Sequence, residues 1–119
     1  MSATPEPGRS VRGSSTGRPV MALLDLVGRR WSLRILWELH RAPHPPTFRE
    51  LRTRCDDMSS SLLTRRLREL SETHLVERAE SGYALTDPGE RLLEHLRPLA
   101  AWADAWAAEF DIESRPPGT

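Results

Sequence analysis

From Ser59 to Leu70 the chain reads Ser-Ser-Ser-Leu-Leu-Thr-Arg-Arg-Leu-Arg-Glu-Leu, and this stretch limits the fold more than any other. Leu63, Leu67 and Leu70 recur at helical spacing on one face, while Ser61, Thr64, Arg65 and Arg68 fall on nearly the opposite one. Ser59 is placed to cap the first turn, with Met58 before it and Leu63 at the fourth helical position, the arrangement of a hydrophobic staple. Three Arg and no acid lie between Ser59 and Arg68. Such a helix must lay its leucines on other elements, and it then shows solvent only short hydroxyls and guanidinium groups.

The flanking sequence supplies the elements it needs. Val20, Leu23, Leu24 and Val27 repeat at helical spacing from about Pro19, with Gly28 as the stop. A second helix is expected from Ser32, read as its N-cap, to about His40, with Ile35, Leu36 and Leu39 inward. Pro43-His44-Pro45-Pro46 forbids helix. Thr47-Phe48 is read as a minimal strand, followed by a short helix over about Arg49 to Cys55 and an Asp56-Asp57 turn. Leu75 to Ala79 and Tyr83 to Leu85 read as two strands around Ser81-Gly82. A last helix, capped by Thr86 or Asp87, runs to about Asp111, with a kink expected at Pro98. Its Leu92, Leu96, Leu99, Ala103, Trp106 and Phe110 alternate spacings of four and three, a heptad seam widened by Leu93, Ala100 and Trp102. The predicted fold class is mainly α with a small β-hairpin: a winged helix-turn-helix with N- and C-terminal dimerisation helices. Residues 19–113 form that domain. Residues 1–18, rich in Ser, Gly, Pro, Thr and Arg, are expected to be disordered, and residues 114–119 to fray.

The chain's 119 residues leave room for one core and exclude a separate cofactor domain. No apolar stretch reaches the ~20 residues of a membrane helix, and no leader pattern opens the chain, so a cytoplasmic protein is expected. One cysteine cannot form a disulfide framework. All 17 basic residues are Arg and balance 17 acids. The balance is uneven along the chain: residues 29–78 hold eleven Arg against seven acids, and residues 79–113 two against eight. A basic middle suits an anionic partner. The sequence has no Gly-rich phosphate loop and no credible Ser/His/Asp set, so neither an enzyme nor a cofactor is expected. His40, His44, His74 and Cys55 match no ligand spacing, so no metal is expected.

A helix of this kind suits the major groove of double-stranded DNA. Its N-terminal amides favour phosphate, its hydroxyls bond phosphate or base edges, and an Arg fork matches the acceptors of guanine. The DNA-binding residues read from this pattern are Ser59, Ser60, Ser61, Thr64, Arg65, Arg66 and Arg68. Arg49, with Arg52 and Arg54, is placed near phosphates on the preceding helix, and Arg78 on the wing. Arg9, Arg12 and Arg18 could add loose phosphate contacts. For dimerisation the expected residues are Leu92, Leu96, Leu99, Ala103, Trp106 and Phe110, with Val20 and Leu24. Coverage of that seam by the chain's own core is the competing reading. Trp102 and Trp106, at i and i+4, could line a pocket for a small aromatic effector, or simply pack.

Leu26-Val27-Gly28-Arg29-Arg30-Trp31-Ser32-Leu33-Arg34-Ile35-Leu36-Trp37-Glu38-Leu39 resembles the opening of the HxlR family of bacterial transcriptional regulators. Thr47-Phe48-Arg49-Glu50-Leu51 is similar to that family's next motif. Met58 to Leu70 with Leu75-Val76-Glu77-Arg78 resembles its recognition helix and first wing strand, and Tyr83-Ala84-Leu85-Thr86 with Gly89 and Leu92-Leu93 its closing pattern. The resemblance spans about Val20 to Phe110. It implies a homodimer formed by the terminal helices, with two recognition helices in successive major grooves of a pseudo-palindromic operator, and most simply a repressor. Two departures stand out. Gly17-Arg18-Pro19-Val20 has no Cys where some members sense electrophiles, and Glu80-Ser81-Gly82 is a shorter wing tip than usual. Cys55 then reads as a packing residue, and His74 stands where the family has Gly, in a turn that favours a left-handed backbone. Two other functions stay open: a winged-helix module that binds a protein, and a small-molecule sensor or carrier built on the tryptophans.

Overall fold

The structure, a computed structural model, describes residues 4–11 and 17–110. Five helices and one hairpin follow in order: α1 Pro19–Val27, α2 Ser32–Arg41, α3 Phe48–Arg54, α4 Ser60–Glu72, β1 Val76–Arg78, β2 Tyr83–Leu85 and α5 Asp87–Ala108. The expected frayed end, 114–119, lies outside the described residues, as does Arg12.

Helix α2 runs through the centre because two adjacent residues, Ile35 and Leu36, give it two buried sides. Around them close Leu51 of α3, Leu63, Leu67 and Leu70 of α4, Val76 of β1 and Leu93 of α5. Full burial of each such side chain contributes about 1.5–3 kcal/mol. The leucine face of α4 is therefore the face its spacing marked out, and its outer face is left to solvent.

The hairpin is antiparallel, with Val76 opposite Leu85, Glu77 opposite Ala84 and Arg78 opposite Tyr83. It is short, and the chain anchors it from outside. The Tyr83 N–H donates to the Pro46 carbonyl at 2.9 Å. At Gly82 a Cβ would fall 2.0 Å from that same oxygen, so only glycine lets the two backbones approach this closely. The left-handed turn expected at His74 is present, with φ 64°.

Two local expectations are corrected. Thr47 is no strand residue: it caps α3, its hydroxyl accepting from the Glu50 N–H at 3.1 Å while the Thr47 N–H donates to the Glu50 carboxylate at 2.8 Å. Thr-x-x-Glu is the signature of this reciprocal box, and it outweighs the β-propensity of Thr-Phe. Ser32 is not the cap of α2. Trp31 holds that position in a left-handed turn, φ 76°, and Ser32 is the first helical residue, its hydroxyl buried without a partner. The bond from the Ser32 N–H to the Arg29 carbonyl, 3.0 Å, folds the entry too tightly for an extended cap. Pro98 lies inside one continuous helix. The described part of the N-terminal segment makes contacts of its own. Pro5 is buried, the Thr4 hydroxyl donates to Glu72 at 2.6 Å, and the Gly8 N–H donates to the Gly17 carbonyl at 2.8 Å.

Candidate nucleic-acid interface

The outward face of α4 begins at its cap. The Ser59 hydroxyl accepts from the Leu62 N–H at 3.2 Å and lies 2.9 Å from the Ser61 hydroxyl. The Thr64 hydroxyl donates to the Ser60 carbonyl at 2.9 Å, which leaves its oxygen free to accept. Ser59, Ser60, Ser61, Thr64, Arg65 and Arg68 are all exposed. Between them they present hydroxyls around the positive end of the helix and guanidinium groups farther along it.

Arg66 does not share that face. Its Nε donates to the Arg30 carbonyl at 2.8 Å and its Nη1 to Glu69 at 3.1 Å, and its side chain is only 12% exposed. The spacing already held this answer, since position 66 falls with 63, 67 and 70 on the inward stripe. Glu69, to which no pattern in the sequence draws attention, is buried and accepts from Arg29 at 2.6 Å as well. A carboxylate bridging two arginines fixes the rotation of α4 against the α1–α2 turn. That rotation decides which residues face outward.

A second buried carboxylate does the same for α3 and the turn before α4. Glu38 of α2 pairs with Arg34 at 2.9 Å and lies 3.4 Å from Arg54. Arg34 also reaches Asp56 at 3.1 Å and the Arg54 carbonyl at 2.8 Å, while the Arg52 Nε donates to the Met58 carbonyl at 2.7 Å. These bonds hold Asp56 and Asp57 in consecutive left-handed conformations, φ 58° and 55°, which reverse the chain into α4. Arg54, expected near phosphates, is thus an internal tie, while Arg52 spends its Nε on Met58 and stays exposed. Arg49 is exposed on α3. Arg78 lies over the Tyr83 ring, 4.9 Å from its centre, and donates to the Tyr83 hydroxyl at 3.0 Å.

The heptad seam of α5 divides. Leu92 and Leu96 pack against the chain's own core beside the fully buried Leu93, so for its first turns the competing reading holds. Beyond them Leu99, Trp102, Trp106 and Phe110 are 51–63% exposed, and Val20 and Leu24 of α1 are equally bare. Trp102 stacks on Trp106 with ring centres 5.7 Å apart, and Trp106 meets Phe110 edge-on at 5.4 Å. Ala103 is half-buried between them in sequence.

Cys55 is fully buried. Burial raises its thiol from the ordinary 9.0 to about 11, against the smaller opposing pull of Arg34. Little thiolate exists at neutral pH, so it is not set up as a nucleophile. No group of His, Cys, Asp and Glu among the described residues could hold a metal ion, and no described helix is long and apolar enough to cross a membrane.

Comparison with known proteins agrees with this fold. The profile of the HxlR-like helix-turn-helix family matches residues 26–111. The chain is 30% identical over 94 residues to the HTH-type transcriptional regulator YodB of Bacillus subtilis, covering 73% of this chain and 82% of YodB. Superposed on the crystal structure of quinone-bound YodB it gives a TM-score of 0.66 at 31% identity, over 72% of this chain and 96% of that one. A crystal structure described as a possible HxlR family transcriptional factor, from Thermoplasma volcanium, gives 0.65 at 28% identity, over 72% and 82%.

Proposed function

The chain belongs to the HxlR-like helix-turn-helix family of transcriptional regulators, and from that premise we propose that it binds operator DNA sequence-specifically as a homodimer and represses by occlusion. The observation that carries this is the division of labour among the arginines. Arg29, Arg34, Arg52, Arg54 and Arg66 are tied to carboxylates or carbonyls of the chain. Arg65 and Arg68 stand exposed beside a row of hydroxyls on the one helix whose rotation those ties lock. Ser59, Ser60, Ser61 and Thr64 enter the major groove with Arg65 and Arg68, and Arg49 and Arg78 meet phosphates on either side. Arg66 acts indirectly, by holding the helix.

The test is fluorescence anisotropy with DNA from upstream of the protein's own gene against a scrambled duplex, at two salt concentrations. Tight, sequence-preferring and salt-sensitive binding is expected. Arg65→Ala or Arg68→Ala should each lose about 1–3 kcal/mol on the preferred site. Binding untouched by both substitutions would refute the assignment and favour a winged helix that recognises a protein.

The bare apolar face supports a two-fold dimer. Leu99, Ala103, Trp106 and Phe110 of α5 with Val20 and Leu24 of α1 form it, and a monomer has no use for so much exposed aromatic surface. Half-sites then lie about one helical turn, ~34–36 Å, apart. Sedimentation of Trp106→Glu against the parent checks this, with a monomer expected for the variant. Trp102 and Trp106 are also the place for a small aromatic effector, a reading supported by a YodB structure that holds quinone. Quenching of tryptophan fluorescence by a naphthoquinone, lost in Trp102→Leu, is the expected result.

A further inference from the structure

The described N-terminal segment does more than drape over the domain. Residues 4–11, the α1–α2 turn and the second half of α4 wall an open cleft of about 1300 Å³. Its acids have partners: Glu69 bridges Arg29 and Arg66, Glu72 accepts from Thr4, and Glu6 lies 4.0 Å from Arg9. Three of its cations do not. Arg30, Arg65 and Arg68 line it with no carboxylate in ion-pairing range among the described residues, and the Arg9 side chain, on the arm itself, is 67% exposed. Guanidinium groups converge on a cleft whose carboxylates are already satisfied, so the cleft attracts a phosphate group.

We propose that this arm-walled cleft grips a phosphodiester backbone of bound DNA, with Arg9 and Arg30 as its phosphate contacts alongside Arg65 and Arg68. The inference rests on the DNA-binding reading above and adds a second contact element to it. Two features select DNA over a free anion. Arg65 and Arg68 belong to both the cleft and the outer face of α4, so a duplex on that face carries a strand past the cleft. The cleft is also open, whereas a small ligand needs most of its surface enclosed. Gly17 shapes the arm: at φ 73° a Cβ there would fall 2.7 Å from the Gly8 backbone, against which Gly17 accepts its hydrogen bond. Gly17→Ala therefore displaces the arm without altering any charge.

Because phosphate contacts ignore sequence, a 30-base-pair duplex of arbitrary sequence serves as the probe. Its affinity for the full chain is read by anisotropy across a salt series. Arg9→Ala and Arg30→Ala should each lower the slope of log K against log salt by about 0.9 per protomer, the value of one phosphate contact, and so by about 1.8 for a bound dimer. Gly17→Ala should lower it by about as much as Arg9→Ala does. Arg91→Ala, on α5 away from the cleft, removes the same charge and should leave the slope unchanged. Melting temperatures of all four variants check that they are folded. If the parent binds and the Arg9 and Gly17 variants keep its slope, the arm proposal is overturned while the DNA reading stands. If the parent binds no duplex even at low salt, both fall together. Stabilisation of the parent by inorganic pyrophosphate, lost in Arg9→Ala with slopes unchanged, would reassign the cleft to a small anion and overturn its assignment to DNA.

Discussion

Replacing Glu69 with Ala should be among the most damaging single changes in this domain, because its carboxylate is spent on two arginines of the chain itself. The carboxylate is 8% exposed and sits against Arg29 and Arg66, which are 11% and 12% exposed. Taking one member from a buried ion network costs about 3–5 kcal/mol, because the charges left behind have lost both water and partner. Here the lower end applies. Arg29 keeps Asp25 at 3.8 Å and Arg66 keeps the Arg30 carbonyl. A loss of about 3 kcal/mol corresponds to roughly 12–24 °C in melting temperature for a domain near this size. Urea titration followed by circular dichroism measures it directly. Glu69→Gln retains an acceptor and should lose about half as much. The double change Arg66→Met, Glu69→Met leaves Arg29 on Asp25 and should recover part of the stability. A Glu69→Ala protein within about 0.5 kcal/mol of the parent would refute the view that this bridge sets the rotation of α4.

Other outcomes follow from single features. Gly82→Ala drives a methyl into the Pro46 carbonyl and should cost about 2–4 kcal/mol, with faster amide exchange at Tyr83 as the local sign. Asp57→Gly relieves a left-handed non-glycine residue and should add about 0.5–1 kcal/mol, seen as a rise of a few degrees in melting temperature. Asp56→Gly should add nothing, since it also breaks the bond to Arg34. Cys55 gives a signed pH effect. The unfolded thiol ionises near 9.0 and the folded one near 11, so its stabilising contribution is complete below pH 9 and is lost as pH rises toward 11. That amounts to about 2–3 kcal/mol. Melting curves at pH 8 and 10.5 should show a decline that is smaller in Cys55→Ala.

The elements with strong periodicity are legible in the amino-acid order itself. Leu63, Leu67 and Leu70 force α4 into place, and the order of helices and strands around it leaves few arrangements. Residues whose roles depend on partners distant in sequence are harder to read. An arginine on paper is a cation for any anion, and only packing shows that Arg29 is spent on Glu69 while Arg65 is exposed. Glu38 and Glu69 are invisible for the same reason: each has one arginine on its own helix, but the second, Arg54 or Arg29, comes from another element. Arg66 is different, since its position on the leucine stripe argues against a DNA-facing role. The α5 seam fails as a single unit because a heptad pattern does not say which partner covers each turn. Leu92 and Leu96 find the chain's own core, and the residues beyond do not.

That division of α5 has a consequence for the lifetime of the chain. Its first turns open only when the core opens, so their exposure to a protease is set by global stability. Its last turns have little to lose on opening and can be clipped from the otherwise intact fold. Anything that covers Trp102, Trp106 and Phe110 closes this route in proportion to its concentration. If a second copy is the cover, dilute chains are trimmed sooner than abundant ones, and the helix end becomes a gauge of how much of the protein is present.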